Sequence, residues 1–156
     1  DLLASTRGYH VVGDYAHTPD ALENLLNTVS ELNATRVYVV VGAGGDRDMG
    51  KRPEMGRIAY NMCDRLYLTS DNPRSEDPQT IIDQMLEGIP QVERDQVHTN
   101  VSRRQAITDA CAAAQRGDLV VIAGKGHETY QEIKGIKHHF DDKEVAQEIF
   151  AKEKLA

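Results

Sequence analysis

The sequence predicts an α/β, Rossmann-like three-layer fold with a mostly parallel sheet and an antiparallel edge hairpin. Four short apolar runs, at residues 9–12, 36–41, 65–69 and 118–123, are typical of strands buried on both faces. Helical patterns separate these runs, and alternating strands and helices favour a parallel sheet covered by helices on both sides. We expect the 156 residues to form a single domain over 1–156.

Four helix starts share a residue that can accept a hydrogen bond from the first turn. It is followed by proline at the first helical position, or by Gln or Glu three positions on. The four starts are Thr18-Pro19, Asp77-Pro78, Ser102 with Gln105, and Asp141 with Glu144. We expect Gly117 to end the third of these helices. After residue 128, two polar-alternating segments around Lys134-Gly135 predict the hairpin.

Composition excludes several classes of protein. The formal charge of -7 argues against a binder of duplex nucleic acid, which needs clustered Lys and Arg. No run reaches the roughly 18 apolar residues of a membrane span, so we expect no membrane partner. Cys63 and Cys111 are interpreted as reduced thiols, which fits a cytoplasmic protein. The missing initiator methionine suggests a piece of a longer chain.

Each predicted parallel strand runs into an unusual polar loop. The four loops span residues 13–20, 42–53, 70–78 and 124–128. Ligands of open α/β sheets bind outside the carboxyl ends of the strands, so the four loops outline one site.

The glycines of the second loop leave two interpretations open. A dinucleotide fingerprint fails because Arg47 stands where its third glycine is needed. The glycines could instead let backbone amides, Arg47, Lys51 and Arg52 approach an anion, or the segment could be a solvated loop. The fourth loop contains Gly-Lys but lacks the rest of a Walker A motif, since Leu119 and Gly126 occupy the required positions.

The third loop contains Asp71-Asn72-Pro73-Arg74. Pro73 stiffens the backbone, and the guanidinium of Arg74 is suited to binding a carboxylate through two hydrogen bonds. A plain turn explains the Asn-Pro pair equally well. Asp14, His17, His127 and Glu128 lack the spacing of a metal motif, so we predict no metal ligands.

Taken together, the segments DYAHTPDALE, GGDRDMGKRPEMG, SDNPRSEDP and AGKGHETYQ resemble the C-terminal domain of the Mur ligases, in the branch that adds meso-diaminopimelate. The resemblance covers residues 9–150. It implies a role in peptidoglycan synthesis as part of an ATP- and Mg²⁺-dependent amide ligase acting on UDP-MurNAc-L-Ala-D-Glu. The UDP-binding and central ATPase domains of that family would lie outside this chain, so the isolated fragment is expected to be inactive and monomeric.

The resemblance also implies roles for individual residues. Asp14 and His17 would face the nucleotide, and Lys51 would lie near its phosphates, whereas no residue of this domain alone would be catalytic. The residues implied to bind the incoming amino acid are Arg47, Asp71, Asn72, Arg74, Gly124 and Glu128. Arg74 favours diaminopimelate because lysine lacks the distal carboxylate. The alternatives are a lysine-adding or other Mur-type ligase, and a stand-alone nucleotide- or metabolite-binding module without catalysis.

Overall fold

A computed structural model describes residues 2–155, and its main sheet has six strands. In spatial order they are β1 (Leu2–Ala4), β2 (His10–Asp14), β6 (Leu119–Ala123), β3 (Val37–Val41), β4 (Arg65–Leu68) and β5 (His98–Thr99). Only β1 pairs antiparallel. The mostly parallel α/β prediction is thus confirmed, and the sequence pattern missed only the very short edge strands β1 and β5.

Helices cover both faces of the sheet. They are α1 (Pro19–Ser30), α2 (Lys51–Asn61), α3 (Pro78–Leu86), α4 (Arg103–Ala113) and α5 (Asp142–Glu153), with a 3₁₀ helix at Gln91–Gln96. The first three pack on one face around buried residues such as Leu26, Met55 and Ile82. The last two cover the other face through residues such as Ile107 and Val145. None of these helices is long and apolar enough to cross a membrane.

The predicted helix starts are correct. Thr18, Asp77, Ser102 and Asp141 are the N-caps of α1, α3, α4 and α5, and each side chain accepts a hydrogen bond from the first turn. The expected end of α4 was wrong, because that helix ends at Ala113, whereas Gly117 lies in the turn before β6 and donates its N–H to Gly8 O.

Helix α2 begins at Lys51, inside the segment that the sequence pattern assigned to a loop. Its N-cap is Gly50, which makes no side-chain capping hydrogen bond, so the sequence carries no start signal there. Arg52 is therefore a buried helix residue rather than a loop residue.

The predicted hairpin forms as β7 (Tyr130–Ile133) and β8 (Ile136–His139), but its expected place at the edge of the main sheet was wrong. Strands β1 and β5 occupy the two edges, and the hairpin is a separate two-stranded sheet. It meets the third loop instead, through a bridge between Ile133 and Arg74.

The register of the strands brings the four polar loops to one level. Asp14 pairs with Ala123, Ala123 pairs with Val41, and Val41 pairs with Leu68. These residues end β2, β6, β3 and β4. Because β6 returns to the centre of the sheet, the loop that follows it lies between the other three.

Both cysteines are free thiols, as expected. Cys111 is buried in α4, and Cys63 is half-buried after α2. Burial raises the pKa of Cys63 to about 12 and that of Cys111 to about 11, so both thiols stay protonated at neutral pH.

Candidate functional site

The polar loops surround one cavity of about 280 Å³ at the carboxyl ends of the parallel strands. Every loop contributes to its wall. The residues of the expected site that line it are His17, Arg47, Lys51, Asp71, Asn72, Arg74, Gly124 and Glu128. Asp14 does not line the cavity, because its carboxylate accepts a hydrogen bond from the N–H of Ala16 at 3.0 Å and shapes the first loop.

The glycines of the second loop allow it to pack directly on the third. Gly45 N donates to Asn72 O at 2.7 Å, and a Cβ atom on Gly45 would lie 1.8 Å from Pro73 O. A Cβ atom on Gly42 would similarly lie 2.5 Å from Thr69 O. These two glycines are therefore explained by backbone packing rather than by binding of an anion.

Arg74 lies in the cavity wall with a backbone φ of 52°, in the left-handed region that non-glycine residues rarely adopt. Its guanidinium Nη1 donates to Gly45 O at 2.9 Å, and its Nε lies 3.6 Å from Glu132 Oε1. Two of its donor groups thus have acceptors within the protein. The guanidinium carries five N–H donors, so donors remain for a carboxylate of a ligand.

Asn72 is only 2% exposed, and its side-chain oxygen accepts two hydrogen bonds. The donors are Glu132 N at 2.9 Å and Lys125 Nζ at 3.3 Å. Since Oδ1 is occupied on both sides, Asn72 can offer a ligand only its amide NH₂ group.

Lys125 is a buried residue beside the cavity that the sequence interpretation missed. It is 0% exposed, its ammonium donates to Tyr130 O, and it lies 3.6 Å from Asp71 Oδ1 and 3.8 Å from Glu128 Oε1. Burial lowers the pKa of Lys125, and the nearby charge of Asp71 partly opposes that shift. The available sequence signal was a lysine between two glycines directly after a fully apolar strand.

Asp71 contains an unsatisfied acceptor. Within residues 2–155, its buried Oδ1 has no hydrogen-bond partner, since Lys125 Nζ is too far away for a hydrogen bond. Its backbone oxygen accepts from Gln131 Nε2 at 2.7 Å, which holds the loop in place. A buried acceptor without a hydrogen bond is uncommon in native structures, and this one belongs to a carboxylate that lines the cavity.

The rim of the cavity is formed by exposed groups. Arg47 and Lys51 are exposed where the second loop enters α2. His17 is exposed on the first loop, where its Nδ1 lies 2.8 Å from Tyr15 O and its ring packs edge-on against the ring of Tyr15.

Arg52 has a structural position, which corrects its expected role as an anion-binding loop residue. Its guanidinium makes two hydrogen bonds to the carboxylate of Glu76, at 3.0 and 2.6 Å, and a third to Gly44 O at 2.9 Å. Glu76 also accepts from Asp46 N at 2.6 Å. The hydrogen bonds from Arg52 lower the pKa of Glu76. This pair connects the second and third loops.

A second buried pair, also missed, lies behind the cavity. Arg103 binds both carboxylate oxygens of Asp142 at 2.8 Å. It also donates to Ser70 O at 3.0 Å and to Ala123 O at 3.4 Å, where the third and fourth loops begin. The pair thereby fixes the starting points of both loops.

The donor set of the cavity does not fit a metal ion. In the described part of the chain, no three His, Cys, Asp or Glu side chains lie together in a way that could hold one. Asp71 and Glu128 instead share the ammonium of Lys125.

The chain is similar to proteins of one family along most of its length. The family model described as "Mur ligase, glutamate ligase domain" matches residues 1–126. A UDP-N-acetylmuramoyl-L-alanyl-D-glutamate–2,6-diaminopimelate ligase from Phocaeicola vulgatus is 56% identical over 155 residues, which cover 98% of this chain and 32% of that protein. The chain thus spans about a third of the length of this curated relative.

Solved structures agree with the sequence match. A structure of UDP-N-acetylmuramoyl-L-alanyl-D-glutamate–2,6-diaminopimelate ligase superposes with a TM-score of 0.91 and 43% identity, covering 99% of this chain and 31% of that one. A separately crystallised domain of a Haemophilus ducreyi protein, described as a UDP-N-acetylmuramate:L-alanyl-γ-D-glutamyl-diaminopimelate ligase, shares the fold, with a TM-score of 0.60, 12% identity and 97% coverage of both chains. The chain belongs to the Mur ligase family.

Proposed function

We propose that this chain is the C-terminal, amino-acid-binding domain of an ATP-dependent amide ligase that adds meso-diaminopimelate to UDP-MurNAc-L-Ala-D-Glu. The observation that carries the proposal is the cavity in which guanidinium groups of Arg47 and Arg74 and carboxylates of Asp71 and Glu128 converge. The names of relatives that are 56% and 43% identical over nearly the whole chain support the same substrate.

The chemistry of the cavity complements diaminopimelate, which carries two carboxylates and two amines. Arg74, the NH₂ group of Asn72 and Arg47 provide donors for the carboxylates. The carboxylates of Asp71 and Glu128 and the carbonyl of Gly124 provide acceptors for an ammonium group. Lysine would leave the donors for the distal carboxylate unpaired, which is how such a site discriminates against it.

The reaction joins an amine to a carboxylate that has first been activated. ATP supplies the phosphoryl group that converts the peptide carboxylate into an acyl phosphate. The deprotonated amine of diaminopimelate then attacks the acyl carbon, the C–N bond forms and inorganic phosphate leaves. In this scheme the cavity orients the amine, which lowers the entropic part of the barrier.

The nucleotide and Mg²⁺ are proposed to bind mainly to a central domain that precedes this chain in the full protein. Residues 2–155 contain no cluster of three or more His, Cys, Asp or Glu side chains that could hold a metal ion. The exposed side chains of His17 and Lys51 would face the nucleotide when the domains close. Asp14 would act through the shape of the first loop, because its carboxylate is bonded to Ala16 N.

The central test is Arg74→Ala in the full-length protein, assayed with diaminopimelate and with lysine. Loss of a charge-assisted contact of about 2–5 kcal/mol should lower kcat/KM for diaminopimelate by roughly 30-fold or more, with little change for lysine. Arg104→Ala is the matched control, since Arg104 forms an exposed ion pair with Glu148 away from the cavity. Unchanged selectivity in the Arg74 variant would refute the proposed role of Arg74 in recognising diaminopimelate.

A second measurement tests whether this chain lacks catalytic activity by itself. The 156-residue chain should fold but show neither ligase nor ATPase activity, because the phosphate-binding loop lies elsewhere in the full protein. ATP hydrolysis by the purified chain, abolished by a substitution within it, would contradict this assignment.

A further inference from the structure

Lys125 does not line the cavity itself, but its ammonium contacts three residues that do, Asp71, Asn72 and Glu128. It follows β6, the strand between β2 and β3, and its side chain is 0% exposed. A fully buried lysine is rare because transfer of its charge from water is costly. Its retention at this position therefore requires an explanation from its contacts.

The ammonium of Lys125 contacts three of the residues proposed to bind the amino acid. Asn72 Oδ1 lies at 3.3 Å, Asp71 Oδ1 at 3.6 Å and Glu128 Oε1 at 3.8 Å. These residues come from two different loops, and Lys125 also donates to Tyr130 O at the start of the hairpin. One cation therefore connects the third loop, the fourth loop and β7.

The hairpin holds the third loop from the same side. Glu132 N donates to Asn72 Oδ1 at 2.9 Å, the atom that Lys125 also contacts. Arg74 N donates to Glu132 O at 2.9 Å, and Lys134 N donates to Arg74 O at 2.7 Å. Asn72 and Arg74 are thus attached to β7, and β7 is attached to Lys125 through Tyr130.

The charges around Lys125 do not balance. Asp71 and Glu128 contribute two negative charges and Lys125 contributes one positive charge, which leaves one net negative charge. A single incoming ammonium group would neutralise it. Without Lys125, the two carboxylates would lose the cation that both of them approach.

From this arrangement we infer that Lys125 is a positioning residue for the incoming amino acid: it holds Asp71, Asn72 and Glu128 at the spacing that receives one ammonium and one carboxylate. The inference rests on the proposed function and deepens it. Lys125 acts through these three neighbours rather than by direct contact with the reacting atoms.

The test is Lys125→Met in the full-length protein, with steady-state kinetics for each substrate. The KM for diaminopimelate should rise roughly tenfold or more, whereas the KM for ATP and kcat at saturation should stay within about threefold. Lys152→Met, at an exposed lysine near the end of α5, is the matched control and should change neither. An unchanged KM for diaminopimelate, or equal rises for both substrates, would overturn the inference.

Two further measurements test the inference independently of the Lys125→Met kinetics. If Lys125→Met does not fold, Lys125→Arg retains the charge but not the geometry, and the same split between the two KM values is expected at smaller size. Hydrogen exchange at the amides of Arg74, Glu132 and Lys134 should be faster in either variant than in the unsubstituted protein. Unchanged exchange would show that Lys125 does not position the loop.

Failure of the inference and failure of the proposed function give different results. If the unsubstituted protein ligates diaminopimelate and the Lys125 variants do so with the same KM, only the inference fails. If the unsubstituted protein does not use diaminopimelate, the proposed function fails, and the exchange rates still decide whether Lys125 holds the loop.

Discussion

Arg103 and Lys125 are two buried cations at the same edge of the sheet, and they differ in how closely carboxylates pair with their charges. Arg103 makes two 2.8 Å contacts to Asp142 and a third hydrogen bond to Ser70 O. Lys125 contacts its two carboxylates only at 3.6 and 3.8 Å, and Asp71 Oδ1 is left without a hydrogen bond. The first pair is complete and stabilises the fold, whereas the second leaves an acceptor for a ligand.

The pKa shifts of the two cations have opposite directions. Burial opposes the charge of Arg103, but the nearby charge and hydrogen bonds of Asp142 outweigh it, so the pKa of Arg103 is raised. Burial also opposes the charge of Lys125, and there its partners do not compensate, so the pKa of Lys125 is lowered. The same sheet edge thus holds one stabilised charge and one that remains costly.

The largest expected effect comes from breaking the complete pair. Arg103→Met in the 156-residue chain leaves Asp142 buried without its partner and should lower the free energy of unfolding by about 3–5 kcal/mol. Urea denaturation measures this change. Arg104→Met, next to it in the sequence but in an exposed pair with Glu148, should cost at most about 1 kcal/mol. Equal losses in the two variants would contradict the comparison.

Substitution of Asp142, the partner of Arg103, should lower the free energy of unfolding more than substitution of Asp71, the neighbour of Lys125. Asp142→Asn removes a charge that accepts two short hydrogen bonds, so we expect a loss of about 2–3 kcal/mol in the free energy of unfolding. Asp71→Asn should cost less than Asp142→Asn, because it weakens the 3.6 Å ion pair with Lys125 but removes no hydrogen bond from Oδ1 among the described residues. Thermal and urea unfolding of both variants check the difference, and a larger loss for Asp71→Asn would reverse our assignment.

A smaller effect is expected from the helix start that positions Arg103. Ser102→Ala removes the cap of α4, in which Ser102 Oγ accepts from Gln105 N at 3.1 Å. The expected cost is about 1 kcal/mol of unfolding free energy, and Ser102→Asp should recover it. Failure of Ser102→Asp to recover stability would show that the loss does not come from the cap.

The smallest expected effect is a dependence on pH. The pKa of Lys125 is lower in the folded chain than in the unfolded chain. Below the folded pKa, the positive charge of Lys125 therefore destabilises the folded state. That cost is relieved as pH rises towards the ordinary lysine value of about 10.4. The stability of the unsubstituted chain relative to Lys125→Met should therefore increase with alkaline pH.

The comparison between the two chains is needed because other groups act in the opposite direction. Tyr9, Cys63 and Cys111 have raised pKa values in the folded chain, so each lowers the free energy of unfolding as pH rises. These contributions are the same in the unsubstituted chain and in Lys125→Met, and they cancel in the difference between the two. Urea denaturation at several pH values measures the difference in unfolding free energy. A difference that stays constant or decreases with pH would contradict the lowered pKa of Lys125.

Much of the fold could be predicted from local sequence signals. Strands β2, β3, β4 and β6 are continuous apolar runs, and caps such as Thr18 and Asp77 act on their own first turns. The start of α2 could not be predicted, because Gly50 provides no capping side chain. The position of the hairpin depended on β1 and β5, whose three and two residues carry almost no periodic signal.

The candidate site was predictable as a set of loops but not as a set of contacts. The motifs identified the segments that line the cavity, whereas the partners of Arg74 come from Gly45 and from Glu132, far apart in the sequence. Arg52 carries the same charge as Arg47, and only burial against Glu76 shows that it is structural.

The sequence by itself determined the four central strands, four of the five α-helices with their caps, and the four loops, because these depend on side-chain period and on neighbours within a few residues. Only the tertiary structure decided which charges meet. Arg103 is matched by Asp142, 39 positions away, and Lys125 by Asp71 and by Asn72, which lies 53 positions away. Arg103 is buried with a carboxylate that fully pairs its charge, whereas Lys125 is buried beside a carboxylate that can also bind a ligand.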